Sequence, residues 1–294
     1  MTGAAITIGK FDSVHKGHQQ LLEDIIRVSK ENGYESICFK LDFGEHGILT
    51  GPECESLMRE MGIDKILFER FTPEFAGMGH EEFVKEILVD RLGAKYIAVG
   101  KDFRYGKDRI GTAELLKEAG RKYGFEVNII DKLVMEGETV SSTRVRGALE
   151  VGDMKEADKL MGHPYSLTGD VMAGKQLGRT LGYPTINLGY DEKKLLPKYG
   201  VYSSRIIVYN DMSCDEKSSS DVQIFSGITN IGVRPSVDDG DTVTVETFIY
   251  DFDDDIYGCK VEIILENYLR QEQKFDSLEA LTAQITQDIK AAKG

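Results

Sequence analysis

Short apolar runs alternate with helix-spaced apolar positions through the first half of the chain, and with every-other-residue patterns through the second. Residues 4–8 form an unbroken apolar run, which predicts a buried strand. Leu21, Leu22, Ile25, Ile26 and Val28 then fall on one helical stripe that Gly33 closes. The succession repeats as strand 36–41, a short helix carrying Leu57 and Met61, and strand 65–71. A helix marked by Phe83, Ile87, Leu88 and Leu92 follows, then strand 95–99, a helix with Leu115, Leu116 and Ala119, and strand 125–130. Such β-α alternation predicts a parallel sheet with helices on both faces, whose ligands bind beyond the C-terminal strand ends.

Short helices are expected over 144–150 and 154–161. At Gly162-His163-Pro164 the pattern changes. Residues 200–208, 223–228, 242–250 and 260–265 alternate with period two, which predicts a small antiparallel barrel or sandwich. The Ser- and Asp-rich stretch 210–221 reads as a mobile hairpin loop. A closing helix carries Leu278, Leu281, Ile285 and Ile289 at helical spacing. A chain of 294 residues is long for a single core, and we expect domains at 1–163 and 164–294.

Charge narrows the partners. The chain has 50 acidic against 36 basic residues and a formal charge of −14, which argues against nucleic acid or an anionic membrane. It leaves phosphate ligands open, because a helix N-terminus holds phosphate within an acidic protein. Cys38, Cys54, Cys214 and Cys259 are scattered and form no CxxC pair, as reduced thiols of a cytoplasmic protein would be. The first residues lack the pattern of a signal peptide, and no apolar run approaches the ~20 residues of a bilayer span.

The first chemical constellation, Gly9-Lys10-Phe11-Asp12-Ser13-Val14-His15-Lys16-Gly17-His18, leaves the first strand and opens the first helix. His15 and His18 share one face of the first turn, beside free backbone N–H groups and the positive helix end. Those are the means of stabilising charge when an α-phosphate is attacked and pyrophosphate departs. An ordinary helix start with a turn glycine is the bland alternative. The segment running from Ser141 to Arg146 follows the last strand: Ser142 and Thr143 as caps and Arg146 in the helix would make a second phosphate cradle, or a plain N-cap.

The second constellation runs from Gly174 and Lys175 through Gly178, Arg179 and Gly182 to Pro184, Thr185 and Asn187. Glycines at this spacing let a loop approach a ligand closely. Thr185 and Asn187 alternate onto one strand face, where hard oxygens suit Mg²⁺ near phosphates. A glycine-rich turn entering a strand is the alternative. Along 242–250, Val243, Val245 and Ile249 share one face, and Thr244, Glu246 and Phe248 the other. Glu246 points to solvent, or acts as a base if its face lines a ligand cavity; periodicity does not choose. Asp251 to Glu262 superficially matches a calcium loop but lacks its glycine and its flanking helices.

These residues carry a resemblance. Gly-x-Phe-Asp-x-x-His-x-Gly-His, the run Gly100-Lys101-Asp102-Phe103-Arg104-Tyr105-Gly106 and Ser-Ser-Thr-x-x-Arg resemble the adenylyltransferase half of bacterial bifunctional riboflavin kinase/FAD synthetases. Gly-Arg-x-Leu-Gly-Tyr-Pro-Thr-x-Asn, Thr229-Asn230-Ile231-Gly232-Val233-Arg234-Pro235, Val245-Glu246 and Leu269-Arg270 resemble the kinase half, in family order. The resemblance implies a Rossmann-like nucleotidylyltransferase domain followed by a kinase-type β-barrel with a terminal helix. It implies that riboflavin and ATP give FMN, and that FMN and a second ATP give FAD and pyrophosphate. His15 and His18 would then contact ATP phosphates, with Ser142, Thr143 and Arg146 on the other side. Thr185 and Asn187 would carry Mg²⁺ and ATP phosphates, Glu246 would take the ribityl proton, and Arg270 would close over the flavin. One departure is plain: Leu41-Asp42-Phe43-Gly44-Glu45-His46 stands where the family carries Phe-x-Pro-His-Pro, so both prolines are missing. A kinase with a degenerate first domain, and a flavin-binding regulator without catalysis, are the competing readings.

Overall fold

The computed structural model describes residues 3–172, 185–209, 222–234, 242–252 and 254–293. The chain divides into two compact units, Met1–Ser142 and Thr143–Gly294.

The first unit runs β1 (Ala4–Gly9), α1 (Lys16–Asn32), β2 (Glu35–Asp42), α2 (Gly51–Met61) and β3 (Lys65–Arg70). It continues with α3 (Pro73–Gly77), α4 (His80–Glu82), a π-helix at Phe83–Arg91, and β4 (Ala94–Gly100). A small hairpin of β5 (Arg104–Tyr105) and β6 (Gly111–Thr112) precedes α5 (Ala113–Tyr123) and β7 (Glu126–Ile130). The hairpin of β8 (Val134–Met135) and β9 (Glu138–Thr139) follows. The expected parallel sheet forms, in the order β3-β2-β1-β4-β7. Its two faces explain why β1 reads as an unbroken apolar run. Ala4, Ile6 and Ile8 join Phe39, Phe83, Leu88 and Leu116 on one side. Ala5 joins Leu22, Ile25, Cys38 and Met58 on the other, under α1 and α2. The helix expected around Phe83 is wound more widely than an α-helix: Leu92 N donates to Ile87 O at 3.0 Å, five residues back. Over nine residues, apolar spacing does not separate the two windings.

In the second unit, α6 (Ser142–Val151) and α7 (Met154–Met161) pack with the strands that follow. Lys198 N donates to Leu149 O at 2.8 Å, and Tyr165 N to Asp158 Oδ1 at 2.7 Å. By their contacts the compact units meet at Ser142 and Thr143, and the sequence pattern changes at residue 163. Then come β10 (Ser166–Met172), β11 (Thr185–Tyr190), β12 (Gly200–Tyr209), β13 (Val222–Arg234), β14 (Thr242–Ile249) and β15 (Lys260–Arg270), closed by α8 (Leu278–Lys293). The strands close into an antiparallel barrel, β10-β11-β14-β13-β12-β15. β13 and β15 outrun their expected ends at 228 and 265. Thr229, Asn230 and Gly232 interrupt the apolar alternation, yet pairing continues to Arg234↔Thr242 and Val201↔Arg270. Inside the barrel, the hydroxyls of Ser204, Thr229 and Thr247 satisfy one another, at 2.7 and 2.9 Å, amid Tyr202, Ile206, Val245 and Ile263. Leu278, expected on the apolar stripe of the last helix, is exposed because it is that helix's first residue. Among the described residues no helix is long and apolar enough to cross a membrane.

Candidate active sites

The strand order places the reversal of winding between β1 and β4, since the chain proceeds outward to β2 and β3 before returning to β4 and β7. In open α/β sheets such a switch point, beyond the C-terminal ends of β1 and β4 here, is where ligands bind. Gly9 ends one strand and Gly100 the other, so the first constellation and the 100–106 run both lie there.

The loop leaving β1 is strained and over-determined. Phe11 and Val14, both fully buried, have φ of 45° and 43°, a region that bulky and β-branched residues rarely enter. The backbone oxygens around them are held from outside. Lys40 Nζ donates to Lys10 O at 2.7 Å, Cys54 Sγ to Phe11 O at 3.4 Å, Leu49 N to Asp12 O at 3.0 Å, and Gln19 Nε2 to Val14 O at 2.9 Å.

His15 caps α1, its Nδ1 accepting from His18 N at 3.1 Å. An accepting Nδ1 leaves the proton on Nε2. Burial pushes His15 down to about 4. Burial, then the neighbouring His15 and Lys40, holds His18 well below the usual histidine range. His18 keeps some exposed surface as a residue, but its Nδ1 is buried with no hydrogen-bond partner among the described residues. Its ring stacks on that of His15 and leans on Phe11, with centroids 4.9 Å apart. Gly17 leaves this packing undisturbed, since a Cβ there would lie 3.3 Å from the His15 ring and press on it.

The loop that lacks the two prolines is shaped by the β1 loop instead. Asp12 Oδ1 accepts from Ile48 N at 3.3 Å. Lys10 pairs with Glu45 at 2.7 Å and lies over Phe43, whose ring packs on Phe71. His46 is exposed. Ser142 Oγ, at the end of the first unit, lies 3.2 Å from Ser13 Oγ in the histidine loop. Thr143 is exposed, and Arg146 is half-buried on the same helix, α6. Arg144 is paired with Glu156. Phe103 stacks on Tyr105 in the 100–106 run, beside a cavity of about 220 Å³ that Tyr105, Val84 and Ala119 help to line.

The second constellation is assembled by strand register. Asn187 lies directly opposite Glu246, and Glu246 directly opposite Asn230. Opposed residues share a face with Cβ atoms about 5 Å apart, so one row crosses three strands, with Thr185 two residues along. Val245, Thr247 and Ile249 are buried inside, so Glu246 and its row lie on the outer face, half-buried. Gly174, Lys175, Gly178, Arg179, Gly182 and Pro184 lie outside the described residues, as does 210–221. Arg270 is held by Asp288 of α8, with Nε to Oδ1 at 2.8 Å and Nη2 to Oδ2 at 2.7 Å. Glu262, at the end of the apparent calcium loop, sits in β15 and accepts from Ser166 and Tyr209 at 2.8 Å each.

Some of these residues were not singled out from sequence. Lys40 interrupts the apolar run Ile37-Cys38-Phe39, and Asp288 sits on the stripe of Leu281 and Ile285. A charge inside an apolar pattern was the available signal in both cases. Ser13 had none.

Two family models match, FAD synthetase over residues 1–144 and riboflavin kinase over residues 161–294. A bifunctional riboflavin kinase/FMN adenylyltransferase of Pseudomonas fluorescens is 34% identical, covering 99% of this chain and 92% of its own length. That of Escherichia coli K12 is 33% identical over the same shares. A solved structure described as a macrolide-efflux protein from Streptococcus pneumoniae superposes with a TM-score of 0.86 at 28% identity, covering 100% of this chain and 95% of that one. With both halves matched and full-length relatives above 30% identity, the chain belongs to the bifunctional riboflavin kinase/FMN adenylyltransferase family.

Proposed function

We propose that the chain makes flavin coenzymes at two sites. In the barrel, the 5′-hydroxyl of riboflavin attacks the γ-phosphorus of ATP, and FMN forms as ADP leaves. In the first unit, a phosphate oxygen of FMN attacks the α-phosphorus of a second ATP, and FAD forms as pyrophosphate leaves. The observation that carries the reading is the register that sets Asn187 and Glu246 side by side on one outer face. In this reading Glu246 takes the proton of the attacking hydroxyl, and Arg270, anchored by Asp288, bounds the flavin side.

Thr185 and Asn187 offer a hydroxyl and an amide oxygen on that face, a donor set that fits Mg²⁺. No group of three or more His, Cys, Asp and Glu suited to a metal occurs among the described residues. Bound on that face beside phosphates, the ion would neutralise phosphate charge. The motif assigns Gly174, Lys175, Gly178, Arg179, Gly182 and Pro184 to ATP and flavin.

For adenylyl transfer, we assign His15 and His18 as neutral donors to the triphosphate, with Gly9, Phe11, Asp12 and Gly17 shaping the loop that presents them. Ser142, Thr143 and Arg146 are assigned to phosphate by the motif they match. The kinase-only alternative is disfavoured by the FAD synthetase match and by the preserved histidine pair. We place both reactions in the cytoplasm, where thiols such as Cys38 and Cys54 stay reduced. Incubating the protein with riboflavin, ATP and Mg²⁺ and separating the flavins tests the reading: FMN and then FAD are expected, and FMN alone would restore the kinase-only alternative.

A further inference from the structure

We propose that Glu272 is a positioning residue for riboflavin phosphorylation, acting through Asn230; the inference rests on the reading of Glu246 as the base. Asn230 lies opposite Glu246 on the barrel's outer face, in the row that includes Asn187. Glu272 follows the end of β15 and reaches back over β13. Asn230 Nδ2 donates to Glu272 Oε1 at 3.3 Å, and Val233 N donates to Glu272 Oε2 at 3.2 Å. The carboxylate occupies the space left by Gly232, where a Cβ would overlap it. Its starting point is fixed as well. Arg270 is clamped by the buried Asp288, and its Nη1 donates to Gln271 O at 2.9 Å.

The chemistry of the pair sets the direction of the amide. An ionised carboxylate accepts and never donates, so Nδ2 of Asn230 faces Glu272 and its Oδ1 turns away. The row beside Glu246 thereby gains an acceptor of fixed orientation. A ribityl chain carries several hydroxyl donors, and an acceptor at this place selects which of them lies next to the base. Without Glu272 the amide is free to present either end, and substrate hydroxyls lose their register.

The test uses the full-length protein with riboflavin and Mg²⁺-ATP, measuring kcat and KM for FMN formation. Glu272→Ala removes the carboxylate, and Gly232→Ala displaces it while leaving Glu272 in place. Each is expected to lower kcat about tenfold with KM for ATP unchanged. Conversion of supplied FMN to FAD stays at the parent rate, which separates this effect from a general loss of folding. Glu272→Gln, whose amide oxygen still accepts from Asn230, recovers part of the loss. In an Asn230→Ala background, Glu272→Ala costs nothing further. The proposal is overturned if Glu272→Ala stays within about twofold of the parent, or if the Asn230 and Glu272 effects multiply independently. Glu246→Gln serves as the second arm. If it forms FMN normally, the base assignment fails and takes this inference with it. If it is inactive while Glu272→Ala is normal, the positioning role fails by itself.

Discussion

The imidazoles of His15 and His18 stack face to face, with centroids 3.6 Å apart and planes 9° from parallel. Two charged rings at that separation would repel, and burial keeps both neutral. A neutral imidazole still donates through one N–H. The pair therefore adds hydrogen-bond donors to the positive end of α1 without a second fixed charge.

Removing the inner ring tests this first. His18→Ala is expected to lower conversion of FMN to FAD by about a hundredfold, with riboflavin phosphorylation unchanged. Separation of the flavin products by chromatography reads both rates in one sample. A variant with normal FAD output would remove His18 from the site.

Gly17 gives a gentler perturbation. Its substitution by alanine places a methyl within 3.3 Å of the His15 ring, so the ring must shift. Gly17→Ala is expected to slow FAD formation about tenfold. Circular dichroism should show α1 intact, because alanine favours helix over glycine.

Acid should weaken the first unit through the same histidines. An unfolded histidine titrates near ~6.5, whereas His15 in the fold titrates at about 4. Between these values the unfolded chain binds the extra proton, so the stability is full above the upper value and is lost as pH falls towards the lower. Urea unfolding at pH 7 and pH 5 is expected to show a smaller pH-dependent loss in His15→Gln than in the parent, by on the order of 1–2 kcal/mol. Equal losses would contradict the burial argument. Asp158 works in the opposite sense. Burial raises its carboxyl to about 6, so its contribution is present at low pH and is lost as pH rises through that value.

The Arg270–Asp288 pair should matter to the barrel more than a surface ion pair would. Asp288 is buried, and it also accepts from Gln284 Nε2 at 2.9 Å. Asp288→Ala leaves a guanidinium without its partner, with an expected cost of about 3 kcal/mol. Thermal unfolding of the parent and the variant measures it. A change no larger than that of an exposed pair would place α8 outside the barrel's cooperative unit.

Much of this was legible in the sequence because local pattern governs it. Unbroken apolar runs gave β1 and its parallel neighbours, since those strands are covered on both faces. The glycine between the histidines marked a helix start, where backbone donors are free. What stayed hidden depends on distant partners. No property of residues 242–250 alone says that Glu246 lies opposite Asn187; that follows from the register of β11 on β14. The closure of the barrel likewise depends on β10 meeting β15. The clamp on Arg270 needed α8 to fold back across the strands, and Asp288 showed only as an acid among apolar positions.

If two independent phosphate-handling sites share one polypeptide, two variants that each lack one of them should complement one another when mixed. His18→Ala and Glu246→Gln are each incubated with riboflavin, ATP and Mg²⁺, and then together. The expected products are FMN without FAD from the first, neither product from the second, and FAD from the mixture as free FMN passes between them. A mixture that yields no FAD, or a Glu246→Gln variant that fails to convert supplied FMN to FAD, would overturn the independence of the two sites.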